Sequence, residues 1–150
     1  AGPPFTIEDI HRQLTSGGER LEGARARVVG QFYRDERCGP GEFIVMRVIV
    51  TCCLADADIM GLMVRTVRPY TPAPMKPSGA APDPPWRNEQ GADQMMMAMR
   101  DFGRWVEVSG RLVRSTDRAG RGVLAIEGAK VVEVAPPDSG FIYPRVESFW

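Results

Sequence analysis

Apolar and polar residues alternate in five separate runs of this chain, and once, near its amino end, the apolar ones recur at helical spacing instead. In that first stretch Ile7, Ile10 and Leu14 share one face. Thr6 stands at the N-cap, and Asp9 occupies the capping-box position three residues on. Gly17-Gly18 closes the pattern. A short amphipathic helix over 6–16 is therefore predicted, docked on the core by its apolar stripe, with His11 turned toward solvent.

Period-two alternation marks the strands. Ala26, Val28, Gly30 and Phe32 form the inward face of the first, and Val106, Val108, Gly110 and Leu112 that of the fourth. Each of these strands carries a glycine at its middle, where a bulge or sharp coil is expected. Glu42–Thr51 and Ala57–Thr66 lie between them, and Gly122–Val134 follows after a turn at Asp117–Gly120. Three strands in quick succession, a long excursion and a closing hairpin is the order of an OB-type barrel, and strands bent by central glycines suit closure. The expected fold is mainly β: a single domain holding a five-stranded OB-like barrel over 25–134, an amino-terminal helix, and a helix between strands three and four. That second helix is read at Gln90–Asp101, ended by Gly103. The proline-rich stretch 68–88 reads as a loop and 135–150 as a tail.

At 150 residues the chain is long enough to bury a real core. Nineteen basic residues balance nineteen acidic ones, so no global field draws a polyanion. The face of strands two and three offers Phe43 among aliphatics and methionine, where single-strand binders present several aromatics with basic neighbours. Oligonucleotide binding is thus a third-ranked reading, and no nucleic-acid partner is expected. The longest apolar run, Phe43 to Ala57, is broken by Arg47 and falls short of the about 20 apolar residues that span a bilayer. No basic-then-apolar leader opens the chain. A start without methionine is what a processed or truncated chain shows, so membrane segments outside it are compatible with this reading.

Candidate chemistry concentrates in Arg47 to Ala57. Cys52 and Cys53 end an apolar strand just before an acidic turn, and with Cys38 they make an odd count. Adjacent thiols are soft ligands for zinc or Cu(I). Strand periodicity points the two to opposite faces, however, and zinc sites more often use separated pairs with histidine. The competing reading is that they are small buried hydrophobes. Cys38, in a Cys-Gly-Pro-Gly turn, becomes a third ligand only if the fold brings it near. Arg47 falls on the same strand face as Phe43, Val45 and Ile49, where a guanidinium must meet a carboxylate or leave the core. Asp56 or Asp58 is the natural partner, and an anion-binding point is the sharper alternative. Met95, Met96, Met97 and Met99 also invite copper, though filling the barrel's end explains them as well. No serine–histidine–acid set, phosphate-cradling glycine loop or suggestively spaced acid pair is present. The chain does not read as an enzyme.

The stretch from Glu42 to Val64 resembles the arginine–strand–Thr-Cys-Cys-x-Ala-Asp-Ala signature of the YcgQ-like permease subunits of bacteria. Supporting elements are the Gly30 strand before it, Trp105–Arg114 after it, and a closing Tyr143-Pro144. The resemblance covers roughly Phe5 to Pro144, and the stretch 69–85 departs from it. It marks Arg47, Thr51, Cys52, Cys53, Asp56 and Tyr143 as motif positions. It implies the soluble carboxy-terminal domain of a membrane protein, joined to the membrane through segments outside this chain. By the same resemblance the domain lies outside the cytoplasmic membrane and works with a partner permease subunit. The expected role is binding or assembly. The alternative is metal handling, with zinc or copper as the cofactor.

Overall fold

The alternating runs become a closed ring of hydrogen-bonded strands. The computed structural model describes residues 2–17, 20–50, 57–70, 104–137 and 141–142. In chain order these form α1 (Ile7–Thr15), β1 (Arg25–Tyr33), β2 (Glu42–Val50), β3 (Ala57–Thr66), β4 (Trp105–Thr116), β5 (Gly122–Glu133) and the short β6 (Phe141–Ile142). β1 pairs antiparallel with β2 and with β4, β2 with β3, and β4 with β5. The parallel pairing of β3 with β5 completes the circuit β1-β2-β3-β5-β4-β1. This is the five-stranded OB-like barrel expected, with one amino-terminal helix. The stretches read as a proline-rich loop and as a second helix, with its methionines, lie outside the described residues.

The core is built by the residues that alternation points inward. Ala26 and Val28 of β1, Phe43, Val45 and Ile49 of β2, Leu62 and Val64 of β3, and Val106, Val108 and Leu112 of β4 form one apolar cluster. A side chain of this kind contributes about 1.5–3 kcal/mol on burial. Phe32, Phe43 and Tyr70 stack at one end, with ring centroids 4.6 to 6.1 Å apart. Two glycines permit the tight coiling. A Cβ on Gly30 would stand 2.7 Å from the Met46 carbonyl oxygen, and one on Gly110 would stand 2.6 Å from Ile126 Cγ2. The β4–β5 register shifts at Gly110 as expected, and Gly128 supplies the extra residue on β5 at φ +62°.

The helix follows its capping box. The Thr6 amide donates to Asp9 Oδ2 at 3.0 Å, and the Asp9 amide donates to Thr6 Oγ1 at 3.2 Å. Ile7 and Ile10 enter the core, but Leu14 remains 47% exposed. His11 is half-buried rather than turned fully to solvent.

At the β4–β5 turn, buried Asp117 organises the backbone. Its Oδ1 accepts from the amides of Ala119 at 2.8 Å and Arg121 at 3.0 Å, and Gly120 turns at φ +82°. Asp117→Ala leaves two amides without that acceptor. The expected cost is about 1–3 kcal/mol in denaturant unfolding, with the strand content unchanged by circular dichroism. A loss well under that range would show that solvent replaces the carboxylate without penalty.

Candidate functional site

The barrel is not equally closed all round. β1 and β2 share only three residue pairs, Gln31–Met46, Phe32–Val45 and Tyr33–Ile44. Beyond Gln31, toward its start, β1 turns away, and Phe5 bridges to its Ala26 end. Beyond Met46, β2 instead takes β6 as its neighbour at Val48 and Ile49. This leaves a mouth between β1 and β2. α1 packs on the core through Ile7 and Ile10.

Arg47 stands at that mouth, between the last β2 residue paired with β1 and the first paired with β6. It shares the alternation of Phe43, Val45 and Ile49 along β2, and the residue is 8% exposed. The guanidinium carbon lies 5.0 Å from the ring centroid of Trp105, which is 3% exposed. A desolvated cation over an indole face is worth about 2 kcal/mol. Burial pushes the guanidinium's pKa below its usual value, and the Glu8 carboxylate in the first turn of α1 partly opposes that shift. Arginine remains charged at neutral pH because its ordinary value is so high. Gln31, also buried, pairs with both Trp105 and Met46 in the ladders. A polar spot of arginine, glutamine and indole therefore lies at the barrel's weakest closure.

Of the residues singled out from sequence, Thr51, Cys52, Cys53, Asp56 and Tyr143 lie outside the described residues, so the expected Arg47–Asp56 pairing does too. Asp58, the other candidate partner, is exposed on β3. Cys38 is buried among Ile44, Met63 and Ala125, beyond the Glu42 end of β2. Val50, which ends the same strand, is six residues beyond Ile44, about 20 Å at about 3.3 Å per residue. No group of three or more potential metal-ligating side chains is assembled among the described residues.

Trp105, Gln31 and Glu8 were not singled out from sequence. Trp105 opens a strand recognised from its alternation, and a tryptophan beginning a barrel strand beside a buried arginine was the available signal. Nearby, Tyr70 donates to Glu133, the carboxylate that Arg104 also holds, and burial foremost and then Glu133 push its hydroxyl's pKa upward.

A second feature follows from the way β3 and β5 meet. They pair only from Met63 to Thr66 on β3. Among the described residues, Ala57–Leu62 has β2 on one edge and no strand on the other. A groove of about 650 Å³ opens there, lined chiefly by Leu14, Leu21, Ile59, Met60, Leu62 and Leu124. Ile59 is 69% exposed.

The circuit of strands, closed by a parallel third and fifth, defines an OB-like β-barrel. Residues 8–71, from α1 through β3, match the family model of the DUF1980 C-terminal domain, which supports a domain of that family. Searches of curated proteins and of solved structures gave no match. No helix among the described residues is long and apolar enough to cross a membrane.

Proposed function

We propose that this barrel is a docking domain of a membrane-tethered permease subunit, held outside the cytoplasmic membrane and acting by binding its partner subunit rather than by catalysis. The observation that carries the docking role is the free edge of β3 beside the apolar groove. An extended segment laid along Ala57–Leu62 satisfies its own amides and carbonyls on that edge. Its alternate apolar side chains fill the space between Leu14, Ile59 and Leu124. Strand addition of this kind draws affinity from the main chain and specificity from the flanking pockets. The permease setting rests on the family match over residues 8–71 together with the YcgQ-like signature around Arg47. Arg47 over Trp105 fixes the mouth and so holds the β2–β3 pair that presents the edge.

Ile59→Asp places a charge in the groove at a residue already largely in solvent. Thermal unfolding should stay within about 0.5 kcal/mol of the parent chain. Recovery of the partner permease subunit with the full-length protein, purified from membranes, should fall about tenfold or more. Undiminished recovery by a folded Ile59→Asp protein would overturn docking at this edge.

A further inference from the structure

The outer face of β1, β4 and β5 gathers cations in a chain whose total charge is zero. Two cross-strand rows are read from the register: Arg25–Arg111–Glu127, and beside it Arg27–Ser109–Lys130. Ser109 is thus the small centre of a ring of Arg25, Arg27, Arg111 and Lys130. Gly128 puts no side chain into the space, and the bulge at this point dents the sheet. The result is an open depression of about 480 Å³.

Two carboxylates adjoin the depression: Glu127 lines it opposite Arg111, and Glu107 borders it beside Arg27. Glu107 accepts from Arg27 Nε at 2.9 Å, and Glu127 lies 3.5 Å from Arg65 on its far side. Arg25 donates to the Gly2 carbonyl at 3.2 Å. Neither Arg111 nor Lys130 has an ion-pair partner within 4 Å among the described residues. Arg25 and Arg111, moreover, stand directly opposite one another. Like charges in that relation destabilise a sheet. An anion seated between them would remove the penalty.

We infer that this depression binds a phosphate group, with Arg111 and Lys130 as its principal charges, Arg25 as the third, and the Ser109 hydroxyl as donor at the floor. Guanidinium and ammonium groups converging on a tetrahedral oxyanion give short, charge-assisted hydrogen bonds. The depression shares no lining residue with the β3 groove, so its occupancy and docking at that groove are separable.

The phosphate has two sources with the same chemistry, a free phosphate or a lipid headgroup, and the test distinguishes them. Inorganic phosphate titrated into the labelled 150-residue chain should shift the amide signals of Ser109, Gly110, Arg111 and Gly128 saturably. In the double variant Arg111→Ser, Lys130→Ser, which removes two charge-assisted contacts, the affinity should fall by at least about tenfold. The control Arg68→Ser, Arg118→Ser removes the same total charge elsewhere and should stay within about twofold. Co-sedimentation with phosphatidylcholine vesicles, with and without phosphatidic acid, is measured on the same proteins. Retention on the phosphatidic acid vesicles that the double variant loses assigns a headgroup. Phosphate binding without retention assigns a free phosphate. Absence of saturable shifts, or equal losses in the double variant and the control, overturns the site. Exposed arginine and lysine changes leave the core intact, and a matching thermal melt verifies it.

Discussion

Phe43→Ala should destabilise the barrel by about 3–5 kcal/mol, seen as a lower urea midpoint at nearly constant slope. Phe43 is fully buried, 4.6 Å from the Phe32 ring and 5.8 Å from Tyr70. Its removal forfeits the transfer of a large apolar group and leaves a space that the β2–β3 ladder cannot collapse into, because both strands are paired along their length. Two ring–ring contacts, each worth about 0.5–1.5 kcal/mol, go with it. A small domain holds only about 5–15 kcal/mol in all. The variant should therefore unfold at much lower urea, and a loss under about 1 kcal/mol would mean the three rings do not form the packed end described.

Gly30→Ala and Gly110→Ala should each cost about 1–3 kcal/mol or more, against the usual gain from stiffening a glycine. The reason is contact with atoms that cannot step aside. At Gly30 the new Cβ meets the Met46 carbonyl oxygen at 2.7 Å and Val45 Cγ2 at 2.8 Å. At Gly110 it meets Ile126 Cγ2 at 2.6 Å and the Glu127 carbonyl oxygen at 2.7 Å. Gly30 adjoins the three-pair junction of β1 with β2, so relief there opens the ring. Gly122→Ala is the internal control, since nothing lies within 4 Å of its Cβ, and it should be neutral or slightly stabilising. Equal stability of all three variants would refute the role given to the two mid-strand glycines.

These effects bear on what could be read in the chain itself. Alternation sufficed to place all five strands close to their observed limits, because each strand faces a core on one side and the period-two pattern records that face. It also put Arg47 on the alternation of Phe43, Val45 and Ile49, and Arg47 is buried. The capping box of α1 was likewise legible, being a contact between neighbours in sequence. What escaped depends on residues distant along the chain. Trp105 meets Arg47 only because β4 closes against β1. Leu14 looks core-facing from its spacing, yet it lines the open groove beside β3 and stays 47% exposed. Ile59 reads as an ordinary strand residue, and its exposure comes from β5 joining β3 only at Met63. The cation ring around Ser109 is invisible to a total charge of zero, since it draws on three strands. Gly128 gave no signal of its own beside the expected bulge at Gly110.

The short junction between β1 and β2 carries one more implication, for how the molecule comes together. β1, β2 and β3 follow one another closely and pair as neighbours, whereas β4 and β5 form a self-contained hairpin reached after a long connection. Among the described residues the two pieces pair along two lines, β1 with β4 and β3 with β5. The family match stops at residue 71, just past the first piece. That piece by itself would present two bare strand edges and half a core. The hairpin from Trp105 to Glu133 is thus the keystone of the ring, and the pairings that seat it join residues far apart in the chain, the kind of contact that lowers a folding rate.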